Sequence, residues 1–136
     1  MSYTSSEKTN SYEIVVPLLK SMYGEIQTLS KKKPDGVLNK NKISTINRLL
    51  NDVLDILKDE PEAKYIGLVD EDVVPQYSDV VILLSQYLTA VAAFHKRYYK
   101  YCFLDEEKVW YTEELESALD QYYKDLEEEY EGEDGE

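Results

Sequence analysis

The spacing of apolar residues between Leu38 and Asp59 restricts the fold of this chain more than any other feature. Apolar side chains recur there at intervals of three and four residues: Ile43, Ile46, Leu50, Val53 and Leu57. This spacing places them on one face of an α-helix, which Glu60 and Pro61 would end. Alternation of the strand type is almost absent from the rest of the sequence. We therefore predict an all-α fold.

Three further segments carry helical patterns. The first begins at Ser11 or Pro17 and ends at about Leu29, before the turn sequence Lys-Lys-Lys-Pro-Asp-Gly at 31–36. The second has Ser78 as its N-cap and reaches about Tyr101. It is apolar on nearly every side, which is typical of a helix in the middle of a bundle.

The last predicted helix begins after Thr112, a favourable N-cap, and reaches about Tyr130. Its apolar side chains form a seam with four- and three-residue steps: Leu115, Leu119, Tyr122 and Leu126. A short helix near Glu62–Val69 would add a fifth. The sequence thus predicts a single-domain bundle of four or five helices with a long amphipathic acidic C-terminal helix.

A length of 136 residues fits one domain. We expect residues 1–10 to be a disordered N-terminus, because they are polar and carry no apolar periodicity. Residues 11–130 form the predicted helical bundle domain. Residues 131–136, with the sequence Glu-Gly-Glu-Asp-Gly-Glu, are predicted to be a frayed acidic tail.

The negative charge is confined to one end of the sequence. Residues 1–104 contain thirteen acidic and thirteen basic residues, whereas residues 105–136 contain fifteen acidic residues against Lys108 and Lys124. The whole net charge of −13 therefore lies in the last 32 residues. This asymmetry indicates an interaction with a charged partner or a solubilising role.

The sequence favours a soluble, cytoplasmic protein. The single cysteine, Cys102, excludes an internal disulfide bond, and the polar first ten residues lack an apolar signal segment. The longest apolar stretch, Val80–Phe94, is shorter than the roughly 20 residues needed to cross a bilayer.

Residue types with catalytic or metal-binding chemistry are scarce. One histidine, His95, cannot form a two-histidine metal site, and it lies seven residues from Cys102 without a recognisable motif. Asp70, Glu71 and Asp72 lack the spacing of a calcium loop, and no glycine-rich phosphate loop is present. We therefore expect no enzyme activity, no cofactor and no metal.

Two sets of residues are candidate interfaces. The first set combines acidic and aromatic residues of the last helix: Glu113, Glu116, Asp120, Tyr122, Tyr123, Asp125, Glu127, Glu128, Glu129 and Tyr130. The second belongs to the basic and aromatic stretch 94–103 and the turn after it: Arg97, Tyr98, Tyr101, Trp110 and Tyr111. The alternative for the second set is that Phe94, Tyr98 and Tyr101 continue the core face of a helix while the basic residues are solvated.

Five lysines around the first turn form a basic patch: Lys31, Lys32, Lys33, Lys40 and Lys42. They are either an exposed charged connection or a receptor for the acidic segment of the same molecule or of a second copy. A nucleic-acid contact is disfavoured, because a net charge of −13 repels phosphates.

These observations predict a non-enzymatic protein-binding module, an inhibitor, immunity protein or accessory subunit. Its acidic helix would dock on a basic surface of a nucleic-acid-processing enzyme or toxin, with no membrane or direct nucleic-acid binding. Homo-oligomers are compatible with this prediction. The remaining alternatives are a structural assembly subunit that uses stretch 94–103, and an acidic tail that only aids solubility.

An acidic DNA mimic that blocks a nuclease or restriction-like enzyme is the main alternative. If all of the last 32 residues were helical, they would carry about one net charge per 3.7 Å, close to the 3.4 Å spacing of phosphates along one DNA strand. In charge density alone the segment resembles the acidic helical DNA-mimic proteins of phages. Mimicry over a whole surface would also place acids on the rest of the chain, which is neutral.

Overall fold

The structure is a computed structural model that describes residues 2–134. Over the chain it is 70% helical, with four α-helices and a two-stranded sheet in the described residues. This confirms the predicted all-α bundle class. The helices are α1 (Ser6–Lys32), α2 (Lys40–Leu57), α3 (Tyr77–Tyr98) and α4 (Glu113–Asp134), and the strands are β1 (Tyr99–Cys102) and β2 (Glu107–Trp110).

The contacts divide the chain into two compact units. The three-helix unit is Glu7–Lys96, and the hairpin unit combines Met1–Ser6 with Arg97–Glu136. The three-helix unit has thirteen acidic and eleven basic residues, a formal net charge of −2, and the hairpin unit has fifteen and four, a net charge of −11. The charge asymmetry of the sequence therefore coincides with a structural division.

Helix α2 supplies a large part of the core of the three-helix unit, and its predicted seam is confirmed. All five seam residues are buried: Ile43, Ile46, Leu50, Val53 and Leu57. The helix begins after Asn39, whose side-chain Oδ1 accepts a hydrogen bond from the Lys42 N–H at 2.9 Å. This is an N-cap, which satisfies one of the free N–H groups of the first turn. The short helix predicted near Glu62–Val69 is a 3-10 helix over Pro61–Tyr65.

Helix α3 has a buried face in this unit, formed by Val80, Leu84, Tyr87, Val91 and Phe94. The Tyr87 hydroxyl donates a 2.7 Å hydrogen bond to the Gly67 carbonyl, and burial raises the pKa of Tyr87 to about 12. A buried tyrosine is tolerated here because its polar atom has an acceptor.

The start of α3 differs from the prediction. The helix begins at Tyr77, and the Gln76 N–H donates to the Asp79 carboxylate at 3.3 Å. Ser78 is thus inside the first turn and is not the N-cap; its N–H donates to the Pro34 carbonyl. Helix α3 is long enough and apolar enough to cross a membrane. The core helix of a soluble protein meets the same two criteria. The predicted cytoplasmic location stays a prediction.

The N-terminal prediction is wrong for the described residues before position 11. Helix α1 begins at Ser6, and Pro17, expected in a first turn, lies inside it. The Thr4 N–H donates to the Tyr111 carbonyl at 2.9 Å, and the Thr4 carbonyl accepts from the Glu113 N–H at 3.2 Å. Residues far away in sequence therefore order this polar segment, so local composition could not reveal it. Pro17 is exposed, which allows water to hydrate the carbonyl that loses its helical donor.

A β-hairpin replaces the predicted end of α3. Residues 99–102 pair with residues 107–110 in an antiparallel ladder in which Tyr99 faces Trp110 and Cys102 faces Glu107. Helix α3 therefore ends at Tyr98 instead of Tyr101, and Trp110 belongs to a strand instead of a turn. Four-residue strands are too short for their alternation to stand out in sequence. The Tyr99 and Trp110 rings meet edge to face, with centroids 5.3 Å apart, which stabilises the pair.

Helix α4 begins at Glu113, directly after the predicted N-cap Thr112. It runs to Asp134, so the first four residues of the predicted frayed tail are helical. Gly135 and Glu136, the rest of that tail, lie outside the described residues. Residues 105–112 form a loop and a strand, so the charge spacing estimated for 32 helical residues does not apply to the whole segment. The helix spans 22 residues, about 33 Å.

Candidate protein-binding surface

The hairpin unit holds the first turn of α4 in place. The Ser6 hydroxyl donates a 2.6 Å hydrogen bond to the Glu114 carboxylate, and this bond lowers the pKa of Glu114. The Tyr3 and Tyr111 rings stack with centroids 5.8 Å apart, and Lys100 Nζ lies 4.7 Å from the Tyr111 ring centroid. The N-terminal end of α4 is therefore fixed by contacts from both the chain start and the hairpin.

Beyond Leu119 the apolar seam of α4 becomes more exposed to solvent. Leu119 is buried, but Leu126 is only half-buried, and Tyr122 and Tyr130 are 38% and 68% exposed. These three residues lie four positions apart and share one face of the helix. An amphipathic helix whose apolar face is exposed is typical of a binding surface.

An exposed aromatic cluster adjoins this face. The Phe103 ring lies 5.4 Å from Tyr122 and 6.5 Å from Tyr123, and the two tyrosine rings are 5.5 Å apart. All three side chains are exposed, Tyr123 to 52%. Sequence analysis missed Phe103, although it ends the basic and aromatic stretch 94–103. Only the hairpin turn brings it beside α4, twenty residues further along the chain.

Acidic side chains surround the exposed face of α4. The predicted acidic site residues are all exposed: Glu113, Glu116, Asp120, Asp125, Glu127, Glu128 and Glu129. Within the described part of the chain, no residue of α4 takes part in an ion pair. Burial, followed by the charges of Glu116 and Asp120, raises the pKa of Tyr3. The acids therefore create a negative electrostatic potential around α4. No basic residue of the described chain neutralises them in an ion pair.

The second predicted interface is only partly available. Tyr98 and Tyr111 are buried, so they stabilise the hairpin unit and cannot anchor a partner as predicted. The Tyr111 hydroxyl donates to the Tyr101 carbonyl at 2.6 Å, and burial raises its pKa. Arg97 and Trp110 are half-buried, whereas Tyr101 is exposed because it lies in β1 instead of on a helical core face. Phe103, which was not among the predicted residues, contacts Tyr122 and Tyr123 of the first predicted surface.

The two residues considered for catalysis, His95 and Cys102, belong to different units. The Cys102 side chain is buried in β1. His95 belongs to the three-helix unit, where it stacks on Tyr12 with centroids 5.8 Å apart and lines a depression of about 350 Å³ that also contains Lys20. Burial raises the pKa of Tyr12. Among the residues the structure describes, no group of three acidic, histidine or cysteine side chains is arranged to hold a metal ion.

Comparisons with protein-family models, with curated proteins and with solved structures found no match for this chain. Its function therefore has to be inferred from the chemistry of its own surface.

Proposed function

We propose that this protein is a non-enzymatic protein-binding module of the cytoplasm that docks α4 on a basic surface of a partner protein. Such a module acts as an inhibitor, immunity protein or accessory subunit, and a nucleic-acid-processing enzyme or toxin has the required basic surface. The observation that carries the proposal is the face of exposed Tyr122 and Tyr130 and half-buried Leu126, bordered by acids that form no ion pair with any residue the structure describes.

The two chemical components of this surface have different roles. Aromatic side chains that become desolvated supply most of the binding free energy at protein interfaces, and Tyr122, Tyr123 and Phe103 already form an exposed cluster. The acids mainly accelerate association with a basic partner and make it dependent on salt. A surface with both components therefore predicts separable effects of aromatic and acidic substitutions.

The test begins with capture of partners by the immobilised protein at low and high ionic strength, followed by kinetics with the captured partner. Tyr122→Ala combined with Tyr130→Ala is expected to weaken binding at least tenfold, about 1.4 kcal/mol, mainly through faster dissociation. Glu127→Gln, Glu128→Gln and Glu129→Gln together are expected to slow association and to flatten its salt dependence.

The matched control is Tyr65→Ala, because Tyr65 is a tyrosine of the three-helix unit that is 76% exposed. It should leave binding unchanged. Partner binding that is equal in the wild type, the aromatic variant and the acidic variant would exclude α4 as the docking element. In that case the acidic segment serves solubility alone.

Mimicry of DNA is the second candidate, favoured by the charge density of α4. The helix carries eleven acidic residues and Lys124, a net charge of −10, or about one charge per 3.3 Å of helix. Competition separates the two functions. A mimic displaces duplex DNA from one site on the captured enzyme, whereas an accessory subunit leaves DNA binding intact.

A further inference from the structure

A groove in the three-helix unit has the chemistry that complements α4. It lies between α1 and α2, with a volume of about 450 Å³. Its apolar lining comes from Met22, Ile26 and Leu29 of α1, from Leu38 in the connection between the helices, and from Ile46 of α2. Met22 and Leu29 are half-buried, so apolar surface in the groove remains open to solvent. A row of apolar side chains on another helix would fill such a groove.

The basic patch continues this groove. Lys32 ends α1 three residues after Leu29, Lys33 follows directly, and Lys42 lines the groove itself four residues before Ile46. Residues at these spacings lie on one side of a helix. All five lysines of the patch are exposed, and none forms an ion pair among the residues that the structure describes. Two acids lie near these lysines: Glu25 lines the groove itself, and Asp35 follows Lys33 by two residues.

We infer that the α1–α2 groove binds the exposed face of α4 from a second copy of the chain. Tyr122, Leu126 and Tyr130 would occupy the apolar groove, and Glu127 and Glu129, which flank this face of the helix, would meet the lysine patch. Both surfaces belong to the same chain, so the contact can form twice in a dimer with two-fold symmetry. This doubling helps the interface to approach the roughly 1,200–2,000 Å² that stable complexes bury.

The inference uses the same helix face as the proposed function but requires no foreign partner. A second copy and a foreign partner would therefore compete for α4, and self-association would limit the free α4 surface at high protein concentration. The hairpin unit has a net charge of −11 and the patch has five lysines, so their attraction predicts that dimerisation depends strongly on salt.

The test is sedimentation velocity of the purified chain over a range of concentrations, at about 50 mM and about 500 mM salt. The wild type is expected to dimerise at low salt, with a dissociation constant at least tenfold higher at high salt. Lys31→Glu, Lys32→Glu and Lys33→Glu in one variant should abolish the dimer, and so should Glu127→Lys, Glu128→Lys and Glu129→Lys in another.

An equimolar mixture of these two variants is the decisive measurement. Each variant alone places like charges in both contacts, whereas in the mixed pair both contacts join opposite charges. The mixture should therefore recover a dimer that neither variant forms alone. Docking of α4 within one molecule predicts a monomer at every concentration and no recovery on mixing, and either result would overturn the inference.

The control variant carries Lys20→Glu, Lys58→Glu and Lys64→Glu, which makes the same change in net charge at exposed lysines outside the patch. It should dimerise more strongly than the patch variant. Far-UV circular dichroism verifies folding, and a Lys→Gln triple variant of the patch replaces the Glu variant if the latter unfolds. A monomeric wild type with α4-dependent partner capture refutes the dimer alone, whereas a dimer without such capture refutes the proposed function alone.

Discussion

Asn47 shows how one buried polar side chain can hold an irregular segment of the chain. Its amide Nδ2 donates to the Val69 carbonyl at 2.8 Å, and its Oδ1 accepts from the Val69 N–H at 2.9 Å. Both residues are buried. The Asn47 side chain therefore takes the place of the backbone partners that Val69 would have in a helix or a sheet. A buried loop needs such partners, because buried backbone N–H and carbonyl groups must form hydrogen bonds.

Replacement of Asn47 by alanine is expected to lower the free energy of unfolding by about 2–4 kcal/mol, because two buried backbone groups lose their partners. Asn51→Ala is the matched control, since Asn51 is an exposed asparagine one turn later in α2. Its effect should stay within about 0.5 kcal/mol. Urea denaturation of both variants provides the comparison. Equal midpoints for the two variants would contradict the assigned role of Asn47.

The β-hairpin is the element that the sequence analysis did not predict. Its turn contains Glu106 with φ of 55°, the one non-glycine residue with positive φ among the described residues. The left-handed region is unfavourable for residues with a Cβ atom and is typical of glycine. The turn sequence Phe-Leu-Asp-Glu at 103–106 contains no glycine, asparagine or Asn-Gly pair, so the usual hairpin signal is absent.

Glu106→Gly is expected to stabilise the protein by about 0.5–1 kcal/mol, because it removes this backbone strain. Glu106→Val should destabilise it by at least about 1 kcal/mol, because a β-branched residue is disfavoured most at positive φ. Asp105→Gly is the control, since it removes the same charge at a neighbouring position without positive φ. Thermal unfolding measures all three. A loss of stability in Glu106→Gly equal to that in Asp105→Gly would refute the turn conformation.

At the scale of the whole molecule, the chain start and the last helix depend on each other. Thr4 pairs with the backbone of Tyr111 and Glu113, and Tyr3 stacks on Tyr111. These contacts join residues more than one hundred positions apart in the sequence. The first residues therefore belong to the hairpin unit, although the helix that follows them belongs to the three-helix unit.

Deletion of residues 2–5 is expected to destabilise the start of α4 by about 2–3 kcal/mol, through loss of two backbone hydrogen bonds and one aromatic stack. Hydrogen exchange of the Glu113 amide, which donates to Thr4, reports this change directly. Tyr3→Ala is the control: it removes the stack but keeps the backbone pairing, so its effect should be about 1 kcal/mol. Unchanged exchange after the deletion would show that the N-terminal segment does not support α4.

The sequence by itself determined the parts of this protein that depend on local periodicity and composition. The seam of α2 is buried as its spacing predicts, and α4 begins after Thr112 because a threonine N-cap and acidic first-turn residues act within one helical turn. The division of charge is also a property of composition. These signals need no partner from elsewhere in the chain, so they can be read before the fold is known.

Only the tertiary structure decided which side chains are available to a partner. Tyr98 and Tyr111 are buried, whereas Phe103, Tyr122 and Tyr130 are exposed, although all five are aromatic residues. The contacts of Tyr3 and Thr4 with residues 111–113 join distant parts of the sequence, and the β-hairpin consists of strands too short to show alternation. Burial depends on the three-dimensional neighbours of a side chain, and pairs such as Thr4 with Thr112 leave no periodic signal in the sequence.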